Sequence, residues 1–265
     1  MEVVITDELE KEVMELNKRG WYATNISRAK GLSLFQIYEI YKKRQIKKVS
    51  FGAVFNVRGF REQIILSGIL GDGYIKKNGK GYYYTECHAL DEADYCEWKF
   101  RALGDLCEGH RLYAKNANNK YSDAVEFTTI TTTSLKKYKE MPKEEVIDRL
   151  NLVGVVLFIL DDGWIRRDTN QFCISGGELT KEQLELFCLR CEYLGLENVH
   201  IVGVKRYDIA IPKENNALII KTAFRIFLRD KATLRKKFFF MFEKEDFEDF
   251  GEETPKQLED SKDNK

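Results

Sequence analysis

Two aspartates in matched settings are the residues of this chain best placed to do chemistry. Asp72 closes the stretch Ile64-Ile65-Leu66-Ser67-Gly68-Ile69-Leu70-Gly71-Asp72-Gly73, and Asp162 closes Gly154-Val155-Val156-Leu157-Phe158-Ile159-Leu160-Asp161-Asp162-Gly163. Each is followed by an aromatic, an isoleucine and two basic residues, Tyr74-Ile75-Lys76-Lys77 and Trp164-Ile165-Arg166-Arg167, and the two aspartates stand ninety positions apart. A carboxylate at a helix C-terminus sits in a field of partial negative charge. If the two helices pack together, Asp72 and Asp162 also repel each other. A divalent cation removes both penalties and supplies Lewis acidity suited to phosphodiester hydrolysis. Either stretch alone also reads as a buried helix ending in Asp-Gly turn chemistry. The repetition is what points to a shared site. Asp161, the second acid beside Asp162, reads as outward-facing or capping.

The elements that would position these acids follow from the surrounding pattern. An apolar run closed by glycine reads as a buried helix with a left-handed cap, since glycine accepts positive φ freely. The aromatic and isoleucine that follow carry β-propensity, so each helix feeds a strand. In the first half, helix 61–72 leads to strand 74–77, the turn Asn78-Gly79-Lys80-Gly81 and a returning strand 82–87. A helix 91–107, strands 111–115 and 124–131 and a helix opening at Ser134 complete it. The second half repeats the order with strands 164–167 and 171–175, helix 181–194, strands near 199–204 and 207–211, and helix 215–227. The sequence thus predicts an α+β fold in which αββαββα occurs twice. Long polar side chains on the strands suit base-edge and phosphate contacts: Lys76, Tyr82, Tyr84, Arg111, Tyr113, Lys115, Glu126, Thr128, Thr129, Arg166, Gln171 and Lys205.

Residues 1–44 read as a small three-helix module, with Thr6 and Ser33 as helix caps and Gly31 as a turn. Ile26, Ser27, Gly31, Ile37 and Ile40 fit helix-turn-helix spacing, and the last helix offers Gln36, Glu39, Lys42, Lys43 and Arg44 for contact with bases or phosphates. Residues 45–60 read as a basic connector, with a short strand and a DNA-tracking linker equally compatible. The body spans 61–242, in halves 61–150 and 151–242.

Charge is divided unevenly along the chain. The 265 residues carry no formal net charge, yet residues 243–265 hold ten acids against four lysines. The remaining 39 basic and 33 acidic residues leave the body modestly positive, compatible with a nucleic-acid partner. The acidic tail is expected to be disordered. The longest apolar stretch, Leu152 to Leu160, is nine residues, far short of a membrane span. Six cysteines without framework spacing suggest reduced thiols, and no targeting signal follows Met1, so an intracellular, cytosolic protein is expected. Cys188 and Cys191 fall inside an amphipathic helix and read as buried thiols rather than zinc ligands. His88 and His200 have no acid or nucleophile in their sequence context, so no histidine-based mechanism is predicted.

The body resembles the single-chain LAGLIDADG homing endonucleases. Leu66-Ser67-Gly68-Ile69-Leu70-Gly71-Asp72-Gly73 is similar to the family's Leu-Leu-Gly-Asp-Gly form of the first motif, and Phe158-Ile159-Leu160-Asp161-Asp162-Gly163 to the Trp-Phe-Met-Asp-Asp-Gly form of the second. The resemblance implies two motif helices side by side at a pseudo-twofold axis. It further implies two four-stranded antiparallel sheets forming a saddle over DNA, with Asp72 and Asp162 as metal ligands. Small residues that would let the helices approach are Ser67, Gly68 and Gly71 in the first but only Gly154 in the second. The family often adds a polar residue in each half to order the attacking water; Glu86 occupies that place in the first half, and Ser175 matches it loosely in the second. A lysine near each centre is also usual, with Lys143 and Lys237 as the matching residues. Residues and resemblance lead together to an expectation: a monomeric, site-specific endonuclease for double-stranded DNA, with no membrane association. It would use Mg²⁺, with Mn²⁺ substituting and Ca²⁺ supporting binding without cleavage, and would leave a staggered cut. A non-catalytic DNA-binding regulator, or an intron RNA-splicing maturase, on the same scaffold are the alternatives.

Overall fold

The computed structural model describes residues 5–19, 21–44, 57–115, 124–204, 206–227 and 233, with the side chains of 57, 58, 114 and 115 outside that description. The body is built on two helices, α4 (Val57–Leu70) and α8 (Leu152–Asp162), that pack side by side. Asn151 caps α8, its side-chain oxygen accepting from Gly154 N at 3.1 Å. Every residue from Leu152 to Leu160 is buried, so packing rather than a polar face holds this helix. Close approach occurs at two levels. Near the starts of the helices a Cβ on Gly154 would collide with Gln63, whose amide spans the turn before α8 by accepting from Asn151 N and donating to Arg149 O. Near their ends a Cβ on Gly71 would lie 2.5 Å from Asp162 Oδ2 and 3.3 Å from Asp161 Cβ. Gly68 is turned elsewhere, against the Tyr84 hydroxyl of the first sheet.

Each motif helix delivers the chain into the first strand of an antiparallel sheet. β1 (Gly73–Asn78), β2 (Gly81–Ala89), β3 (Tyr113–Lys115) and β4 (Ala124–Thr128) form one sheet in the order β1-β2-β4-β3. β5 (Gly163–Arg166), β6 (Gln171–Ser175), β7 (His200–Val202) and β8 (Asp208–Ile211) form the other in the equivalent order β5-β6-β8-β7. The expected duplication is therefore present. Gly73 and Gly163 differ from the expected left-handed caps: neither has positive φ, and Gly163 is extended at φ −97°. They are glycines because space is short, since a Cβ would strike Tyr84 at Gly73 and the carbonyl oxygen of Ile159 at Gly163.

The remaining helices cover one face of each sheet and tie the halves together. They are α5 (Ala93–Leu103), α6 (Lys136–Lys139), α7 (Lys143–Arg149), α9 (Lys181–Tyr193) and α10 (Asn216–Ile226). The expected helix 91–107 is an α-helix flanked by short 3₁₀ turns, and Arg111 precedes β3 instead of lying in it. α4 begins at Val57, so the last residues assigned to the connector are helical. The rest of the connector, Lys205, Lys237 and the acidic tail lie outside the described residues.

The N-terminal helices α1 (Asp7–Lys18), α2 (Ala23–Lys30) and α3 (Leu34–Lys43) dock on α7 and α9. Gly31 turns the chain between α2 and α3 at φ +66°. The joint is buried and polar at its centre. Tyr38 Oη donates to Asp148 Oδ1 at 2.6 Å, Thr24 N donates to Asp148 Oδ2 at 2.8 Å, and Arg190 Nη1 donates to Tyr38 Oη at 3.1 Å. Tyr41 stacks on Tyr193 with ring centroids 4.9 Å apart.

Candidate functional site

The parity of β2 decides the chemistry at the end of the helix pair. Successive side chains of a strand point to opposite faces, so Tyr84, Glu86 and His88 share the inner face, where all three are buried. Gly73 pairs with Glu86 in the sheet, which brings this row beside Asp72. α5 contributes Tyr95 and Lys99 from its buried stripe, and α8 contributes Asp161.

These groups form one network. Lys99 donates to Glu86 Oε1 and, at 2.6 Å, to Asp161 Oδ1. Tyr84 Oη donates to Glu86 Oε2 at 2.5 Å, and Tyr95 Oη donates to Asp161 Oδ1 at 2.8 Å. His88 Nε2 lies 2.9 Å from Glu86 Oε1, while its Nδ1 lies 3.3 Å from Asp72 Oδ2 and 3.4 Å from Glu92 Oε2. The side chains of Glu86, His88, Lys99 and Asp161 are wholly buried, whereas Asp72 remains about one-third exposed at 34%.

Burial and charge pull these groups in different directions. Burial, reinforced by the Asp161 charge, pushes Asp72 up to about 6. Burial also raises Asp161, with Lys99 opposing it. Burial would raise Glu86 too, but the Lys99 ammonium and the His88 hydrogen bond outweigh it and hold that carboxyl at about 2. Burial would lower His88, and the Glu86 and Glu92 carboxylates against its two nitrogens overcome this to raise it to about 9.

A divalent cation fits this donor set. Ligand atoms of Asp72, His88 and Asp161 all lie within 4.8 Å of one another. Among the described residues, His88 Nδ1 and Asp161 Oδ2 are buried atoms without a hydrogen-bond partner, and an orphaned buried polar atom asks for an explanation such as a missing ion.

The expected site residues are distributed as follows. Asp72 stands in the cluster. Asp162 lies against Gly71 of the opposite motif helix, next to the three-residue group but not within it. Asp161 is the correction here: far from facing outward, it is buried and ion-paired with Lys99. His88 also departs from expectation: Glu86 and Glu92, two and four positions away in sequence, flank it, and strand pairing adds Asp72. Lys143 Nζ donates to Ile69 O at 2.7 Å, close to the end of α4, and burial lowers its basicity. Ser175 is not the partner of Glu86: Gly163 pairs with Ile174, so the equivalent residue is apolar, and Ser175 takes a hydrogen bond from Arg206 at 2.6 Å. Lys99 carries a signal in the sequence, a lysine on the apolar stripe Tyr95, Cys96 and Leu103.

The other face of each sheet is open. Lys76 lies there with its ammonium 4.5 Å from the centre of the Tyr74 ring. Tyr113 and Trp164 are exposed, Thr128 meets His110 Nδ1 at 3.2 Å, and Arg166 is exposed and paired with Asp168. Gln171 pairs with Arg166 across β5 and β6, and Arg111 is exposed beside β3. Tyr84 is fully buried on the inner face, so the expected strand contact fails for it; Tyr82 shares its parity and is partly buried, and Tyr83, which pairs with Lys76, takes the open position. Lys115 lies in β3 with its side chain outside the described residues. On α3, Lys43 and Arg44 pair with Glu10, Lys42 pairs with Glu192, and Gln36 is drawn back to Ser33 N in a capping box. Cys188 and Cys191 are buried free thiols.

The homing endonuclease I-WcaI bound to its DNA recognition sequence superposes with a TM-score of 0.52 at 17% identity, over 72% of this chain and 86% of that one. The fold is that of the LAGLIDADG homing endonucleases. I-DmoI in complex with DNA and Mn gives a TM-score of 0.44 at 15% identity, over 63% of this chain and 97% of that one. A RecA protein of Mycolicibacterium flavescens is 25% identical over 111 residues, which is 38% of this chain and only a quarter of that protein. No protein-family model matches. Among the described residues no helix is long and apolar enough to cross a membrane.

Proposed function

We propose that this protein is a site-specific endonuclease for double-stranded DNA that hydrolyses phosphodiesters with a divalent cation. The observation that carries the reading is the convergence of Asp72, Asp161 and Asp162 at the adjoining ends of α4 and α8, beside sheets whose open faces hold cations and aromatics. The likeness in fold to an endonuclease bound to its DNA supports it. Asp72 and Asp161 would hold the cation, with Asp162 at the same end. When bound, that ion supplies Lewis acidity toward a phosphate and its attacking water. Lys99 keeps Glu86 ionised, opposes the rise that burial causes at Asp161, and fixes both in place. Glu86, held ionised, fixes His88 from the side away from Asp72. Lys143, anchored on the Ile69 carbonyl, places positive charge near a bound phosphate. Lys76, Arg111, Arg166 and Gln171 would contact DNA, and Tyr74 and Trp164 would pack against it.

A randomised duplex library tests this directly, incubated with Mg²⁺ or Mn²⁺ for cleavage and with Ca²⁺ for binding. One recovered sequence cut on both strands at staggered positions is expected. Enrichment in Ca²⁺ with intact strands under Mg²⁺ and Mn²⁺ would replace the nuclease with a DNA-binding regulator.

A further inference from the structure

His88 gives the cluster a character that aspartates alone would not. Its Nε2 is committed to Glu86 Oε1 at 2.9 Å, and that carboxylate is already held by Lys99 and Tyr84. An acceptor on that side keeps a hydrogen on Nε2, so Nδ1 is the nitrogen that can give up its proton and offer a lone pair to a metal. Nδ1 faces Asp72 Oδ2 at 3.3 Å and Glu92 Oε2 at 3.4 Å. Between two carboxylates Nδ1 must carry either a proton or a metal cation, and the two compete for it. Four carboxylates, those of Asp72, Glu86, Glu92 and Asp161, surround this point, and Lys99 is the ammonium that meets two of them. Nδ1 and Asp161 Oδ2, both on wholly buried side chains, are two of the buried atoms without hydrogen bonds among the described residues, and His88 and Asp161 both belong to the cluster.

We propose that Asp72, His88 Nδ1 and Asp161 Oδ2 form a single mixed nitrogen–oxygen site that selects a first-row transition dication, such as Mn²⁺, over Mg²⁺. Imidazole nitrogen is an accepted ligand of transition dications, whereas Mg²⁺ prefers oxygen donors and gives up water reluctantly. The contact from Nε2 to Glu86 is the outer partner that fixes a ligating histidine and raises its basicity. The second half has a different residue set at the equivalent places: Ile174 stands where Glu86 would, and Gly176 where His88 would. One such site per chain follows. The inference rests on reading the motif ends as a metal centre, and it concerns binding in the absence of DNA.

The experiment is pulsed electron paramagnetic resonance on the full chain with one equivalent of Mn²⁺ and no DNA, beside calorimetric titration with Mn²⁺ and with Mg²⁺. A ¹⁴N coupling from one imidazole and one tightly bound Mn²⁺ per chain are expected. His88→Ala should remove the coupling and weaken Mn²⁺ by about tenfold or more, leaving Mg²⁺ affinity little changed. The wild-type spectrum decides the matter even if that variant fails to fold. No Mn²⁺ binding, bound Mn²⁺ without nitrogen coupling, or equal affinity for the two metals would overturn the proposal. Cleavage with Mg²⁺ but no nitrogen coupling would overturn it and leave the nuclease standing. Nitrogen coupling in a protein that cuts no DNA would sustain it and remove the nuclease.

Discussion

Lys99 is the residue on which the site's electrostatics turn, because among the described residues it is the cation that bridges the buried Glu86 and Asp161 carboxylates. Lys99→Met keeps most of the volume but leaves both acids without their cation. Breaking a buried pair from one side costs about 3–5 kcal/mol, so urea unfolding should show a loss of that size; a loss under 1 kcal/mol would mean the network is slack. The pH dependence of the metal-free protein follows from Asp72 and His88. Asp72 is raised to about 6 from an ordinary 3.8, so its contribution to stability is full below about pH 4 and disappears as pH rises through 6. His88 is raised to about 9 from 6.5, so its contribution is full below about 6.5 and is lost as pH rises through 9. The melting temperature should therefore fall in two steps on alkalinisation, with Asp72→Asn removing the first. Mn²⁺ needs Asp72 ionised and His88 Nδ1 free of its proton, so its affinity should weaken as pH falls from about 9 and again below about 6. A melting temperature indifferent to pH between 4 and 7 would contradict the Asp72 environment.

At the scale of elements, the helix pair and the N-terminal joint carry the structural load. Gly154→Ala puts a methyl group into Gln63 and Leu150, and overpacking of this kind costs about 1–3 kcal/mol. Tyr38→Phe removes the hydroxyl that donates to buried Asp148 and accepts from Arg190, at a cost of about 1–3 kcal/mol. Denaturant midpoints check both, and an unchanged midpoint for Tyr38→Phe would make the joint dispensable. Much of this was legible in the sequence. The repeat of Asp-Gly-aromatic-Ile-basic-basic marks both helix-to-strand junctions, and the apolar run before Asp162 marks the buried helix. Parity was harder to read: Tyr82-Tyr83-Tyr84 is uniformly aromatic, so its residue types do not say which ring faces in, and the Gly73–Glu86 register supplies that. The same register makes Glu86 and His88 neighbours of Asp72, although fourteen or more positions separate them along the chain. Ser27, Gly31, Ile37 and Ile40 match a helix-turn-helix spacing, yet α3 here packs against α9, an encounter with residues some 150 positions away.

The whole molecule is symmetric in topology and asymmetric in chemistry. Both sheets have the same strand order, but Glu86, His88 and Lys99 all come from the first half, and Ile174 and Gly176 stand in the second at the places matching Glu86 and His88. The two strands of a duplex should therefore be cut at unequal rates. On a supercoiled plasmid carrying the target, nicked circles should build up before linear product, and linear DNA appearing with no nicked precursor would argue for two equal centres. The measurement that bears most directly on the proposed activity compares the wild type with Asp72→Asn and Asp161→Asn on the duplex library in Mn²⁺ and in Ca²⁺. Cleavage at one sequence by the wild type is expected. Each variant should lose cutting by about a hundredfold or more, the scale of removing one electrostatic stabiliser, while still enriching that sequence in Ca²⁺. Undiminished cutting by either variant, or no sequence enriched by any of the three proteins, would contradict a DNA-cutting metal centre at the ends of α4 and α8.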